Sequence, residues 1–349
     1  MSNETSNRKD DHIKITKEEN VDMGGAGFED ITLTHNALPE INKNKIDTSC
    51  EILGNRLETP LLIDSMTGGS ERGEMINRNL AEAAEKHGIG IGVGSQRAGL
   101  EDRNLAKTYS VVREVAPTAF VYGNIGAAQL KSYTIEEVEK AVDMIDADAM
   151  AIHLNFAQES IQPEGDVDGT NCLESIERVS RDLSVPVMVK ETGCGISKKT
   201  AKELKKAGVD IINTGGQGGT SWTYIESFRA AASDDFRKAM TGEVFKNWGI
   251  PTAASTIYAS SVHPCVIASG GVRTGLDIAK SIAIGADASA AAGPFLEPGL
   301  KNAEAVSEKI DQMKEELKTA MFVTGSKTIK DLQNKDVKIG GCLGEYIEG

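Results

Sequence analysis

The chain has 349 residues, 40% of them hydrophobic and 26% charged, with a formal net charge of -14. That length buries a large core, while no run approaches the roughly 20 consecutive apolar residues of a membrane span, so no membrane partner is expected. An acidic chain also lacks the basic face that a phosphate backbone requires, which argues against nucleic acid; a local basic cluster can still serve an anionic small molecule, because charges are screened beyond about 8 Å.

In chain order, residues 1 to 59 open with MSNETSNRKDDH, polar where a secretory signal needs an apolar core, which predicts a cytoplasmic protein. Composition alone reads RKDDH, Arg8 to His12, as a disordered charged arm. The remainder of this extension reads as a short hairpin region. From residue 60, apolar strand-like runs alternate with amphipathic stretches carrying Glu and Lys at helical spacing. The predicted strands cover 60–64, 88–94, 119–125, 149–155, 186–192, 210–216, 265–271 and 288–293. Continuous apolar strands separated by helices imply parallel pairing with both faces covered, and eight such units predict an α/β fold, a closed (β/α)8 TIM barrel. A doubly wound open sheet would carry G-x-G-x-x-G after its first strand, and PLLIDSMTGG has a different glycine pattern. Residues 217–249 read as a long insertion after the sixth strand and 298–325 as one long final helix. The stretch 326–349 is a Lys- and Gly-rich tail that either wraps or lies loose. The resulting division is an N-terminal extension, 1–59, a barrel, 60–325, and a tail, 326–349.

The cysteines, Cys50, Cys172, Cys194, Cys265 and Cys342, form no C-x-x-C pair and indicate neither a zinc site nor a disulfide framework. Active sites of such barrels lie at the C-terminal ends of the strands. HLNFAQESIQPEGD, leaving the fourth strand there, makes His153, Asn155, Gln158 and Glu159 candidates for chemistry. The same rim carries SMTGG, GSQR, GNIG, GGQGGTSW, SGGVRTG and AAG, whose glycines let backbone N–H groups approach a ligand. SGGVRTG followed by AAGPF, after strands seven and eight, points to a phosphorylated ligand. Arg97, following the second strand, is placed to meet an anion. Lys190 lies in the apolar strand VMVKET, where an ammonium is costly unless paired. Three readings of it stay open: a Schiff-base lysine, a cation stabilising negative charge on a cofactor, or an ion pair with a carboxylate such as Asp64.

RKDDH, SMTGG, GVGSQR, GNIG, HLNxxQE with PEGD, VKE, GGxGGTSW and SGGVRTG occur in this order, and together they resemble the FMN-dependent type 2 isopentenyl diphosphate isomerases from residue 8 to the final helix. The resemblance implies FMN with its phosphate on Gly271, Val272, Arg273, Ala292 and Gly293, and its ring among Ser65, Met66, Thr67, Ser95, Asn124, Lys190 and Thr220. It favours the charge-stabilising role for Lys190. Arg8, Lys9, His12 and Arg97 would bind the substrate diphosphate, with Gln158 beside its hydrocarbon end and catalytic roles for Gln158, His153 and Asn155. Glu159 would ligate Mg2+, a hard cation suited to oxygen ligands. It also implies NADPH or another reductant for the flavin and a homotetramer or homo-octamer, with the RKDDH arm folding over the substrate. The reaction implied is the interconversion of isopentenyl and dimethylallyl diphosphate. An FMN-dependent oxidoreductase, an aldolase-type lyase using Lys190 and a non-enzymatic binding protein are the alternatives.

Overall fold

The computed structural model describes residues 2–348, with side chains described from 8 to 347. Its strands are β1 (Ile31–Leu33), β2 (Cys50–Ile52), β3 (Asn55–Leu57), β4 (Leu61–Ile63), β5 (Gly90–Gly92), β6 (Val121–Gly126), β7 (Ala149–Leu154), β8 (Val187–Glu191), β9 (Ile211–Asn213), β10 (Val266–Ser269), β11 (Ala288–Ala291) and β12 (Val337–Ile339). Strands β4 to β11 close into one parallel barrel, β11 returning to β4 through the pair Ala290 and Leu62. Each barrel strand overlaps a run predicted from sequence. The second and sixth are the most shortened; the second starts late because Gly88 ends the helix Glu71–His87 in a left-handed conformation rather than beginning a strand.

Two buried clusters result. The barrel interior is filled by Leu62, Phe120, Tyr122, Ala149, Ala151, Met188, Ile211, Ile267, Ala288 and Ala290, and it is closed from below by Ile52 and Leu57 of the β2–β3 hairpin. Large Tyr122 and Met188 alternate with alanines, so the interior is packed rather than open. The hairpin turns on Leu53 and Gly54, both with positive φ, as a two-residue loop of the twist-compatible kind requires. The second cluster lies between strands and outer helices. Those helices start where the sequence offers caps: Thr134 and Thr274 each form a reciprocal capping box.

Two expectations change and one choice left open is decided. The N-terminal arm is a helix, Ser2–Glu18, docked by specific contacts rather than disordered by its charge. Residues 298–325 are not one helix: Asn302, in extended backbone, ends Gly293–Lys301 and caps Ala303–Thr324 through its side chain, which accepts from Ala305 N at 2.9 Å. The C-terminal tail wraps: β12 pairs antiparallel with β1, Ile31 opposite Ile339, and the Asp30 carboxylate accepts from Leu343 N. The insertion after β9 carries the helices Trp222–Ala232 and Phe236–Val244.

Candidate active site

At the C-terminal end of the barrel, register alone begins the site. His153, Lys190 and Asn213 lie side by side across β7, β8 and β9. A cavity opens above them, lined by Ser65, Met66 and Thr67 after β4, Lys190 of β8, Thr220 after β9, Gly271, Val272 and Arg273 after β10, and Ala292 and Gly293 after β11. Lys9 and His12 of the N-terminal helix form its other wall.

The glycine loops are shaped for close backbone approach. Gly270 and Gly271 have φ of +102° and +69°, and a Cβ on Gly219 would stand 2.6 Å from Gly271 N. Helix Gly293–Lys301 begins at this corner, at Ala292, without a side-chain cap; Pro294 has no N–H and Phe295 N donates to Ala292 O at 2.9 Å. The Arg273 guanidinium is held by its Nε to Asp22 Oδ2 at 3.0 Å, by a second contact between Nη2 and Asp22, and by the Gly271 and Gly218 carbonyls. Asp22 belongs to a strap: residues 21 to 23 pair with 219 to 221, Met23 N donating to Gly219 O and Ser221 N to Val21 O. Buried Thr67 Oγ1 has no hydrogen-bond partner among the described residues. A donor lacking a partner at the cavity wall, beside glycines that leave room for a phosphate, suits a flavin nucleotide.

Lys9, expected to meet substrate, donates to Ser95 O at 2.9 Å and to Tyr109 Oη at 2.6 Å. Burial, helped by neighbouring Arg8, pushes its amine down to about 7. Arg8 lies 3.5 Å from Glu164 and Arg97 donates to Glu101 at 2.8 Å; neither lines the cavity. Asn124 and His153 form a pair behind it. Asn124 Nδ2 donates to Val93 O, which turns its Oδ1 toward His153 Nδ1 at 2.8 Å. His153 therefore donates from Nδ1, and burial, then the charges of Lys190, Lys9 and Arg8, push its pKa down to about 3.

Asn155 and Gln158 line a smaller pocket that shares Glu191, Thr192, Gly193 and Trp222 with the main cavity. Gln158 Nε2 donates to Glu226 Oε1 at 2.9 Å, and His12 Nε2 meets the same oxygen at 2.8 Å. Arg229 donates to Glu226 Oε2 at 2.7 Å. Burial alone would raise the Glu226 acid, but the His12 hydrogen bond and the charges of His12 and Arg229 outweigh it and hold the group at about 2. Glu159 is buried, its carboxylate accepting from Asn155 Nδ2 at 2.9 Å and Asp166 N at 2.8 Å. Among the described residues no cluster of three or more His, Cys, Asp or Glu could hold a metal. Glu191 is the opposite of Glu226: burial raises it to about 7, despite the N–H groups of Cys194 and Thr192 on its carboxylate.

Sequence reasoning missed Asp22, Glu226, Arg229, Tyr109 and Tyr122. A glutamate and an arginine three apart in WTYIESFRAAA, a largely apolar helix, were the available signal for two of them. Nothing local marks Asp22.

These shifts predict a pH response. His153 has a folded pKa below its unfolded value near 6.5, so the stability of its neutral burial is complete above pH 6.5 and declines as pH falls toward 3. Glu191 acts in the reverse sense, since its raised folded pKa removes stability as pH rises from about 4.5 to 7. The variant comparison isolates the histidine. His153→Asn should flatten the acid side of a urea-midpoint profile between pH 6.5 and 4.5 relative to wild type, and equal slopes in both proteins would show that His153 is not held neutral.

The sequence matches the FMN-dependent dehydrogenase family over residues 113–339. It is 56% identical to the isopentenyl-diphosphate delta-isomerase of Halobacterium salinarum, covering 99% of this chain and 97% of that one. Identity is 51% to the enzymes of the same name from Methanosarcina mazei, over 100% of this chain and 96% of the relative, and Archaeoglobus fulgidus, over 99% of each. Among solved structures, a lactate oxidase from Pediococcus acidilactici aligns with a TM-score of 0.64 at 17% identity, over 95% of this chain and 87% of that one. A mandelate oxidase variant with 2-hydroxy-phenylacetamide aligns at 0.62 and 16%, over 90% and 88%. At such low identity these two share the fold and nothing more is carried over from them.

Proposed function

Since the chain belongs to the isopentenyl-diphosphate delta-isomerases that share the FMN-dependent dehydrogenase barrel, we propose that it interconverts isopentenyl and dimethylallyl diphosphate with bound FMN, in isoprenoid biosynthesis. The observation that carries this reading is the joining of a glycine-walled cavity containing Lys190 to a buried Gln158–Glu226–His12 group through one shared wall. Reduced FMN supplies an electron-rich ring with exchangeable protons, suited to adding a proton to the terminal alkene carbon and removing one from C2.

The chain's own residues do the holding. Gly271, Val272, Arg273, Ala292 and Gly293 would present backbone to the cofactor phosphate, and Ser65, Met66, Thr67, Ser95, Asn124 and Thr220 would surround its ring, with the Lys190 ammonium stabilising its electron-rich form. Lys9, Arg8 and Arg97 exchange their present partners for the diphosphate, with help from His12, His153 and Asn155. An added anion restores charge to Lys9, whose amine burial has pushed down to about 7. Gln158 cannot ionise usefully, so it positions: Nε2 is fixed by Glu226 and Oε1 lies 3.5 Å from Asn155 Nδ2. Glu159 would hold Mg2+ through its carboxylate, which now accepts from Asn155 Nδ2 and Asp166 N and whose hard oxygens suit that cation.

NADPH or another reductant would charge the flavin before turnover. Division into a closing extension (1–59), a catalytic barrel (60–325) and a tail (326–349), and action in the cytoplasm, complete the reading. Assembly as a homotetramer or homo-octamer is supported by an exposed apolar stripe, Phe236, Met240 and Val244 at 63, 73 and 79% exposure, next to Trp248.

The test is an anaerobic assay of the FMN-loaded protein with isopentenyl diphosphate and Mg2+. Dimethylallyl diphosphate formed only after reduction, without stoichiometric loss of reductant, supports the isomerase. Reductant consumed in every turnover would instead indicate an oxidoreductase. Gln158→Leu should lower turnover about 100-fold, the scale of a misplaced reacting group, while leaving FMN bound. Unchanged turnover would remove Gln158 from the mechanism.

A further inference from the structure

The cavity floor holds a carboxylate that the reaction described above does not use. Asp64 follows β4, is 7% exposed and lines the cavity beside Lys190. Its Oδ1 accepts from Ser65 N at 2.8 Å and from the Tyr122 hydroxyl at 2.9 Å, and its Oδ2 from Asn213 Nδ2 at 3.4 Å. Tyr122 is fully buried, and burial next to Asp64 raises its phenol well above the usual range, so it stays a donor. The ring also requires Gly92, where a Cβ would stand 2.2 Å from it. Asn213 is oriented in turn by the Ser269 hydroxyl. Residues from β6, β9 and β10 thus hold one carboxylate in one orientation.

Neutral donors occupy that carboxylate, and Lys190 does not. Its Nζ stands 3.8 Å from Asp64 Oδ1, beyond hydrogen-bond length, and donates only a long contact of 3.4 Å to Glu191 O among the described residues. The ammonium is anchored by charge while its N–H groups stay available to the cavity. We propose that Asp64, fixed by Tyr122 and Asn213, is a positioning residue that holds the Lys190 ammonium at the cavity floor and limits how strongly it favours an anionic reduced flavin. This rests on the reading of Lys190 as the cation that stabilises the reduced ring. A ring held too firmly as an anion is a weak proton acceptor, and a carboxylate behind the lysine offsets that pull.

The physical consequence is a shift in redox balance. A unit charge lost within roughly 10 Å of the ring, at an effective dielectric near 20, changes the reduced-to-oxidised ratio at fixed ambient potential on the order of tenfold. The experiment is a spectroelectrochemical titration of the FMN-loaded protein and of its Asp64→Asn, Tyr122→Phe and Lys190→Met variants, with FMN affinity followed by fluorescence. Asp64→Asn is expected to move the ratio about tenfold toward reduced flavin, and Lys190→Met to move it the other way. Tyr122→Phe frees Oδ1 to draw on Lys190 and is expected to move the ratio toward oxidised flavin by less than Asp64→Asn moves it the other way. If Lys190→Met shifts the ratio and Asp64→Asn leaves it unmoved or lowers it, the role of Asp64 is overturned and the placement of Lys190 stands. If Lys190→Met is silent, the placement of Lys190 fails and the proposal falls with it. Should Asp64→Asn fail to retain FMN, Tyr122→Phe decides, and no change in its ratio overturns the proposal.

Discussion

Replacing Glu226 by alanine is expected to lower stability by about 3 kcal/mol and turnover by about 100-fold, because one fully buried carboxylate holds three partners from three parts of the chain. Its removal leaves the Arg229 guanidinium, 14% exposed, with the more exposed Glu164 and Asp11 as its remaining counter-charges among the described residues. It also frees Gln158 from the orientation that its Nε2 hydrogen bond imposes, and it unpins His12, which packs edge-on against Trp222 at 5.1 Å between ring centres. Glu226→Gln separates charge from shape: it should keep most of the packing, weaken the contacts from His12 and Arg229, and fall between alanine and wild type in both measurements. Urea unfolding reads the first effect and single-turnover kinetics the second. Wild-type turnover in Glu226→Ala would show that the helix and Gln158 are placed by something other than this carboxylate.

The second large effect is expected at Gly270. Its φ of +102° is strained for any L side chain, and an added Cβ would lie 2.1 Å from Gly216 O and 2.7 Å from Gly216 N, backbone atoms that cannot step aside. Thr252 Oγ1, which donates to Gly270 O at 2.6 Å, would be 2.7 Å from the new methyl. The turn between β10 and helix Gly275–Ala283 would have to move, carrying Gly271, Val272 and Arg273 with it. Gly270→Ala should therefore weaken FMN binding by about 100-fold in equilibrium dialysis, since binding at this turn depends on backbone placement. Gly340→Ala is the matched comparison: its Cβ meets nothing within 4 Å and its φ is not in the left-handed region, so stability should stay within about 0.5 kcal/mol of wild type. Equal FMN affinity in Gly270→Ala and wild type would mean that this turn does not carry the cofactor.

Legibility from sequence differed by element. All eight barrel strands overlapped predicted runs, because a strand covered on both faces must be continuously apolar and each such run was bounded by helical spacing. Gly271, Ala292 and Gly293 were legible as residues lining the cavity because glycine after a parallel strand has few other uses at that rim. The arm was misjudged by composition: RKDDH is charged, yet Lys9 is satisfied by the Ser95 carbonyl and the Tyr109 hydroxyl, which local counting cannot supply. The long final helix was drawn too early, since Asn302 serves as a cap that interrupts the helical pattern for one residue only.

What the sequence by itself determined was periodicity: where strands and helices run, that the strands are parallel, and which end carries the glycines and polar groups. These follow from side-chain direction along each element and need no distant partner. Tertiary structure alone decided which groups meet. His12 and Glu226 are 214 positions apart, Asp22 and Arg273 are 251 apart, and Asp64 reaches Asn213 across 149. Closing the barrel brings these residues within hydrogen-bond reach, and the energy of each contact depends on a distance and a burial that exist only once the chain is closed.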